Sequence, residues 1–296
     1  PTTVRKMRSQ AQEVTRVHSI YVVDKDDRLI GRLSLKDLLV APADARIADI
    51  YIPKVDYVIV HDKGEDVALL MQKYDLEAIP VVDDDHILLG RITIDDIVDL
   101  IREEAEKDYQ MAAGITEDID PDDSILDKTK ARLPWLVLGL VGGFAAASIM
   151  GGFEDALTQY PELFYFTPLI AAMAGNVGVQ SSAIVVQGLA TNNIKGSMWS
   201  RMLKEIALSV VNGVVLAILI FLLGSIFQYH SDISMTISIS LIIVIIIASL
   251  IGTFVPLILD KNGIDPAVAT GPFITTSNDI FGIFIFFFVA KLILGF

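Results

Sequence analysis

The 296-residue chain carries 37 acidic against 23 basic side chains, a formal charge of −14 at neutral pH. That balance argues against nucleic acid as a partner and makes divalent cations natural counterions. There is no cysteine, so disulfides and thiolate metal sites are excluded and hard oxygen ligands are the metal chemistry left.

The first half of the chain reads as soluble, acidic and internally repeated. Residues 20–39, from Ile20-Tyr21-Val22-Val23-Asp24 to Gly31-Arg32-Leu33-Ser34-Leu35-Lys36-Asp37, align without gaps on residues 79–98, from Ile79-Pro80-Val81-Val82-Asp83 to Gly90-Arg91-Ile92-Thr93-Ile94-Asp95-Asp96. Each copy predicts a strand, an acidic turn, a strand and a helix capped by Ser34 or Thr93. A further helix is expected before each copy, over Val4 to Gln12 and over Glu65 to Lys73. The pattern resembles a pair of cystathionine-β-synthase (CBS) domains, which commonly act as regulatory modules. A strand at Asp56-Tyr57-Val58-Ile59-Val60 precedes the second copy and has no counterpart before the first. Together with a first residue that is not methionine, this leads to the expectation of a chain cut inside its first CBS domain.

Both copies carry a glycine, a hydroxyl and a carboxylate at fixed spacing, Gly31-x-x-Ser34-x-x-Asp37 and Gly90-x-x-Thr93-x-x-Asp96. Two readings are open. Resemblance to nucleotide-binding CBS domains implies that the hydroxyl meets phosphate at a helix N-terminus while the carboxylate holds ribose, with ATP as the ligand. The alternative is a helix N-cap followed by an acidic residue in the first turn, stabilising with no ligand present.

Residues 102–130 form a polar connector with Glu103, Glu104, Glu106 and Asp108 at helical spacing, followed by Glu117, Asp118, Asp120, Asp122, Asp123 and Asp127. Such a run is either a solvated face or a set of mutually repelling carboxylates that divalent cations neutralise. Its place between the soluble half and the membrane half favours a metal-sensing role.

Residues 134–296 read as almost continuous membrane-spanning sequence, with runs such as Ile218–Leu223 and Leu241–Ile247. They divide into spans near Pro134–Gly152, Leu163–Leu189, Ile206–Phe227, Ile233–Leu259 and Ala267–Phe296, each long enough to cross hydrocarbon. Lys128, Lys130 and Arg132 precede the first span. Lys195, Arg201 and Lys204 join the second to the third, and Lys261 joins the fourth to the fifth. This bias predicts a cytoplasmic soluble half and an external C-terminus, with Lys291 close enough to the end to snorkel. The second span places Asn176, Gln180 and hydroxyls among small residues, with Gly175 and Gly178 allowing either close helix approach or an opened turn whose carbonyls face a pore. The fifth contains Asp279, a carboxylate that needs water or a cation beside it in a bilayer.

The tandem CBS-like repeats, the acidic connector, Arg132-Leu133-Pro134-Trp135, the segment from Pro168 to Gln180 and the segment from Asp265-Pro266 to Asp279 resemble, in this order, the MgtE family of magnesium channels and transporters. The resemblance implies a multidomain membrane protein: a partial α/β CBS domain over 1–52, a second CBS domain over 53–101, an acidic connecting helix and linker over 102–132, and an all-α pore domain of five helices over 133–296. It implies a homodimer in membrane lipid whose pore follows the twofold axis. Asp279 from both subunits would face one Mg2+ site, with Asn176, Ala172, Gly175 and Thr275 nearby. It also implies that Asp75, Asp96, Asp99, Glu104 and Asp108 form a regulatory Mg2+ surface that closes the pore when internal magnesium is high. Two departures stand out. Many relatives have two glycines before the asparagine where this chain has Ala174-Gly175-Asn176. The acidic N-terminal domain usual in the family is also absent, which is expected to weaken gating more than conduction.

Mg2+ releases its water reluctantly, so a wide site with two carboxylates and amide or carbonyl oxygens can hold the hydrated ion through outer-shell hydrogen bonds. No P-loop or ATPase motif is present, so passive flow is expected, and any nucleotide at the CBS domains would be an effector. A channel for Co2+, Mn2+ or Ni2+ remains open on ligand chemistry alone. A membrane-tethered nucleotide or metal sensor would leave Asp279 unexplained. No nucleophile–base pair marks an enzyme.

Overall fold

The computed structural model describes residues 19–42, 44–116, 119–191 and 196–296. The helix expected over Val4 to Gln12, and Glu117, Asp118 and Lys195, lie outside the described residues. The chain forms two compact units that divide between Glu106 and Lys107.

In the first unit, strands β1 (Ile20–Val23) and β2 (Leu29–Leu33) pair antiparallel, followed by helices α1 (Leu35–Val40) and α2 (Ile47–Ile50). Strands β3 (Val58–Ile59), β4 (Ala78–Val82) and β5 (Leu88–Thr93) form a second sheet. β3 is parallel to β4, with helix α3 (Gly64–Lys73) as the crossover, and β4 is antiparallel to β5. Val58, Val67, Ala68, Met71, Ile79 and Ile97 close its core.

The two repeats reproduce each other in detail. Asp24 Oδ1 accepts from the Asp26 and Arg28 amides, and Asp83 Oδ1 accepts from the Asp85 and Ile87 amides. The equivalent turn residues Asp27 and His86 both adopt left-handed backbone, with φ of 59° and 66°. Both hairpins carry a register shift at the equivalent valines, Val22/Val23 and Val81/Val82. Aspartate side chains satisfy the turn amides, and the two turns also bond to each other, the Leu29 amide donating to the His86 carbonyl and the Leu88 amide to the Asp27 carbonyl.

Helix α4 (Ile94–Ala112) continues from the second repeat into the acidic connector without a break and ends at Ala112. A hydrogen-bonded loop follows. Gln110 donates to the Ile119 carbonyl and accepts from the Ile119 amide, while the Thr116 amide and hydroxyl both donate to the Ala131 carbonyl.

The second unit holds five long apolar helices: α5 (Ile125–Gly151), α8 (Thr167–Ala190), α9 (Met198–Ile226), α10 (Ser231–Lys261) and α11 (Pro272–Leu294). The short helices α6 (Glu154–Gln159) and α7 (Glu162–Tyr165) separate α5 from α8, and a 3₁₀ turn (Pro266–Ala269) precedes α11. Four starts differ by four residues or more from the spans read in the sequence. Helix α5 begins nine residues before Pro134, at Ile125, because Ser124 caps it and bonds Asp127. The Thr116 amide and hydroxyl donate to the Ala131 carbonyl, next to the Lys130 carbonyl that Pro134 deprives of its helical N–H partner. Helix α8 starts at Thr167, with Pro168 in its first turn. Helix α9 begins at Met198, eight residues before Ile206, because Ser197 caps it and draws Arg201 and Lys204 into the helix. Helix α11 starts at Pro272, where Gly271 turns the chain with φ of 63°.

Helices α8, α10 and α11 pack against one another, α9 lies along α10, and α5 rests mainly on α11. Ile170, Ala174, Leu241, Val244, Ile245, Phe286 and Phe287 fill the center. Close approaches occur where glycine removes a side chain. A Cβ on Gly252 of α10 would overlap the Gly178 carbonyl of α8, and one on Gly142 of α5 would overlap Thr276 of α11. Buried hydroxyls bond between helices, Ser209 with Ser249 at 2.5 Å and Ser238 with the Ala217 carbonyl at 3.1 Å, as expected where lipid offers no partner. The start of α11 is fitted to the end of α4: a Cβ on Gly271 would overlap the Ala112 carbonyl, and Gly114, with φ of 79°, faces Pro272 and Trp135.

Gly252→Ala is expected to destabilise the membrane unit by about 1–3 kcal/mol, because its methyl meets backbone that cannot rotate away. Thermal unfolding of the purified protein in detergent checks this through a lowered midpoint.

Candidate cation site

The described residues of the second unit contain a cavity of about 390 Å³ between α8 and α11. Its lining includes Ala172, Gly175 and Asn176 from α8, and Thr275 and Asp279 from α11. These are the five residues expected at a pore ion. Gln180, Ala171 and Val179 complete the wall, and Gln180, one turn beyond Asn176, adds a second amide. Asp279 is half-buried.

The geometry follows from α8 being a helix throughout, with no opened turn at Gly175 or Gly178. Residues 172, 175, 176, 179 and 180 then share one face at i, i+3, i+4 spacing. On α11, Thr275 and Asp279 share a face for the same reason, and the Thr275 hydroxyl donates to the Gly271 carbonyl at 2.9 Å. A Cβ on Gly175 would lie 3.1 Å from Thr275 Cγ2 and 3.4 Å from Asp279 Oδ1, so α8 and α11 approach closely here and the carboxylate lies beside the glycine. Asn176 is exposed to the cavity. The asparagine that occupies the helix seam is instead Asn278, fully buried against Gly178.

Glu205 on α9 was not singled out by sequence reasoning. Its Oε1 accepts a 2.6 Å hydrogen bond from Ser181, the neighbour of Gln180, tying α9 to the cavity wall helix. The available signal was a carboxylate immediately before the third apolar stretch, on the same helix.

Within the chain, no three His, Asp or Glu side chains come together as a metal-holding group among the described residues. Asp279 is therefore one carboxylate among neutral oxygen and nitrogen donors. Of the acids expected to form a regulatory surface, Asp75 sits just after α3 in left-handed backbone with φ of 49°. Asp96, Asp99, Glu104 and Asp108 lie along α4, with Asp96 and Asp99 exposed and Glu104 and Asp108 half-buried one turn apart.

The two hydroxyl–carboxylate pairs bond to themselves. Ser34 Oγ donates to Asp37 Oδ2 at 2.7 Å and accepts from the Asp37 amide, while Thr93 donates to Asp96 Oδ2 from both its hydroxyl, at 2.6 Å, and its amide, at 2.8 Å. The Thr93 hydroxyl and amide hold the Asp96 carboxyl below the usual carboxylate range. A separate cleft of about 60 Å³ in the first unit is lined in part by Tyr21, Arg32, Lys54 and Asp56. None of the four paired residues lines it.

Five long apolar helices, two of which line a carboxylate-bearing cavity, joined to a repeated α/β unit, define a multi-pass membrane protein. Residues 167–289 match the family model MgtE, described as a divalent cation transporter, and residues 2–44 and 47–103 match the CBS domain model. The chain is 36% identical over 288 residues to the magnesium transporter MgtE of Bacillus subtilis (strain 168), covering 97% of this chain and 64% of that protein. It is 37% identical over 287 residues to the magnesium transporter MgtE of Enterococcus faecalis, covering 97% and 63%, and 34% identical over 299 residues to that of Thermus thermophilus, covering 98% and 65%. The chain thus spans a little under two thirds of each relative's length. Among solved structures, the soluble part of a magnesium transporter is 42% identical with a TM-score of 0.34, covering 35% of this chain and 41% of that one. The cytosolic domain of the Mg2+ channel MgtE in complex with ATP is 43% identical with a TM-score of 0.32, covering 33% and 40%. Over almost its whole length the chain is similar to members of the MgtE family.

Thr93→Val is expected to move the Asp96 pKa up toward its ordinary value, because the larger of its two stabilising hydrogen bonds is removed. The depressed folded-state value means that this contact supports the fold above the ordinary carboxylate pKa and is lost as pH falls through the folded one. Carboxyl NMR titration of the protein with and without the substitution checks the direction.

Proposed function

We propose that the chain moves Mg2+ passively across a membrane, with the ion passing the cavity between α8 and α11. The observation that carries this reading is Asp279, a carboxylate held inside the apolar unit and facing a cavity of about 390 Å³ lined by amides and a hydroxyl. A charged group there needs water or a cation. Six waters at about 30 Å³ each, with their ion, fit such a volume, so Mg2+ can stay hydrated in its octahedral shell. The donors then act on bound water: Asp279 accepts from it, as do the amide oxygens of Asn176 and Gln180. One carboxylate per chain is a weak trap for a divalent ion, and a homodimer with the cavity on its twofold axis supplies two.

In this reading the soluble unit is cytoplasmic, the C-terminus is external, and the acids of α4 with Asp75 bind internal Mg2+ and favour the closed pore. Repulsion among Asp96, Asp99, Glu104 and Asp108 grows when the ions leave. The end of α4 meets the start of α11 at Gly271, so a displacement of the acidic helix reaches the helix that carries Asp279. ATP is an effector in this reading. At Ser34–Asp37 or Thr93–Asp96 it would have to exchange an existing hydroxyl–carboxylate bond for bonds to its phosphate and ribose.

Asp279→Ala is expected to reduce Mg2+ flux into liposomes by at least about 100-fold while the protein elutes as the parent does, since the principal attraction for the ion is gone. Unchanged flux removes Asp279 from the path. Competition by Co2+, Mn2+ and Ni2+ in the same assay ranks the divalent ions.

Neutralising Asp96, Asp99, Glu104 and Asp108 together is expected to raise the Mg2+ concentration needed to protect the soluble unit from protease. Protection at the parent concentration would make these acids a solvated face.

A further inference from the structure

We propose that Asn278 is the positioning residue for the Asp279 carboxylate. Its amide fills the groove left by Gly178 and so sets how far α11 stands from α8 and where Asp279 points. The inference rests on reading the cavity as an ion path, and it assigns a role to a residue outside that cavity's lining.

Consecutive residues on a helix point about 100° apart. Asp279 therefore faces the cavity while Asn278 faces inward, where it is 0% exposed. A Cβ on Gly178 would overlap Asn278 Nδ2 and would lie 3.0 Å from Asn278 Cγ and 2.8 Å from Ile274 Cγ2. The amide thus occupies the space of the side chain that Gly178 lacks. On the other side of the same residue, Gly252 of α10 approaches the Gly178 carbonyl. Helix α8 is clamped at Gly178 between α10 and α11.

One turn away Asp279 Oδ1 lies beside Gly175, so the depth to which the amide enters its groove also sets where the carboxylate stands along the same stretch of α8. The amide is costly where it stands. Neither Asn278 Oδ1 nor Nδ2 has a hydrogen-bond partner among the described residues, and an apolar group would avoid that desolvation cost. Removing the amide therefore separates the two roles: the fold loses an unpaired polar group and the site loses its spacer.

The test compares the parent, Asn278→Ala, Gly178→Ala and the double variant in liposome Mg2+ flux, thermal unfolding and cryo-EM. Asn278→Ala is expected to keep or raise the unfolding midpoint. Its half-saturating Mg2+ concentration should rise by about tenfold or more, as misplaced ligands do, and its Asp279 carboxylate should shift away from Gly175. Gly178→Ala, which pushes the amide out of its groove, should give the same two shifts with Asn278 intact. In the double variant the methyl of α8 refills the groove from the other side, and both carboxylate position and half-saturation should return toward the parent. An Asp279 carboxylate that stays at Gly175 in either folded single variant overturns the proposal. So does a lowered midpoint with unchanged half-saturation, which marks a space-filling role only. A parent without Mg2+ flux would sink the ion-path reading, and the carboxylate position would still decide the role of Asn278.

Discussion

A carboxylate inside an apolar helical bundle is tolerated only where water or a cation reaches it, and the architecture of the membrane unit follows from that constraint on Asp279. The residue sits in the first half of α11, beside Gly175 of α8 and on the face where Asn176 and Gln180 bring amides to the same cavity. The neighbouring face of α11, about 100° round the helix, is packed tightly, with Ile274, Asn278 and Gly282 buried against α8. One helix thus presents a wet side and a dry side. Small residues on α8 bring it close enough for the boundary between them to fall at a single residue step.

The soluble and membrane parts share a structural logic of local satisfaction. In the repeats, aspartates close the turns and hydroxyl–carboxylate pairs cap the helices. At the entry to the membrane unit, Ser124 repeats the device with Asp127, Lys128 donates to the Pro121 carbonyl, and Thr116 serves the Ala131 carbonyl near Pro134. The acidic helix therefore ends in a bonded loop that lies against the first turn of α11. Left-handed glycines at 114 and 271 make that joint possible, because a side chain at either would meet Pro272 or the Ala112 backbone.

Much of this was legible in the sequence because its determinants are local. The repeat could be read from its turn chemistry, and the structure reproduces it down to the equivalent left-handed residues Asp27 and His86. Asp279 and Asn176 stood out because polar groups are rare in apolar helices, whereas Thr275 was named only through the resemblance, and the structure gathers all three around one cavity. Contacts between distant segments were not legible. Nothing local pairs Gly178 with both Gly252 and Asn278, or Ser181 with Glu205. The early start of α5 was hidden for a different reason: Lys128, Lys130 and Arg132 read as a flank before the span, whereas the Ser124 cap draws them into the same helix. The glycines at 175 and 178 left an opened turn possible, and packing against α10 and α11 decides for a continuous helix.

The account depends most on an ion crossing this chain without an energy source. The direct measurement is Mg2+ uptake into sealed liposomes containing the purified protein, driven only by an imposed Mg2+ gradient, with no nucleotide present. The account predicts uptake that rises with the gradient, saturates, and stops when the gradient is abolished. Liposomes that stay as Mg2+-tight as protein-free ones, with the protein folded and inserted, would contradict it.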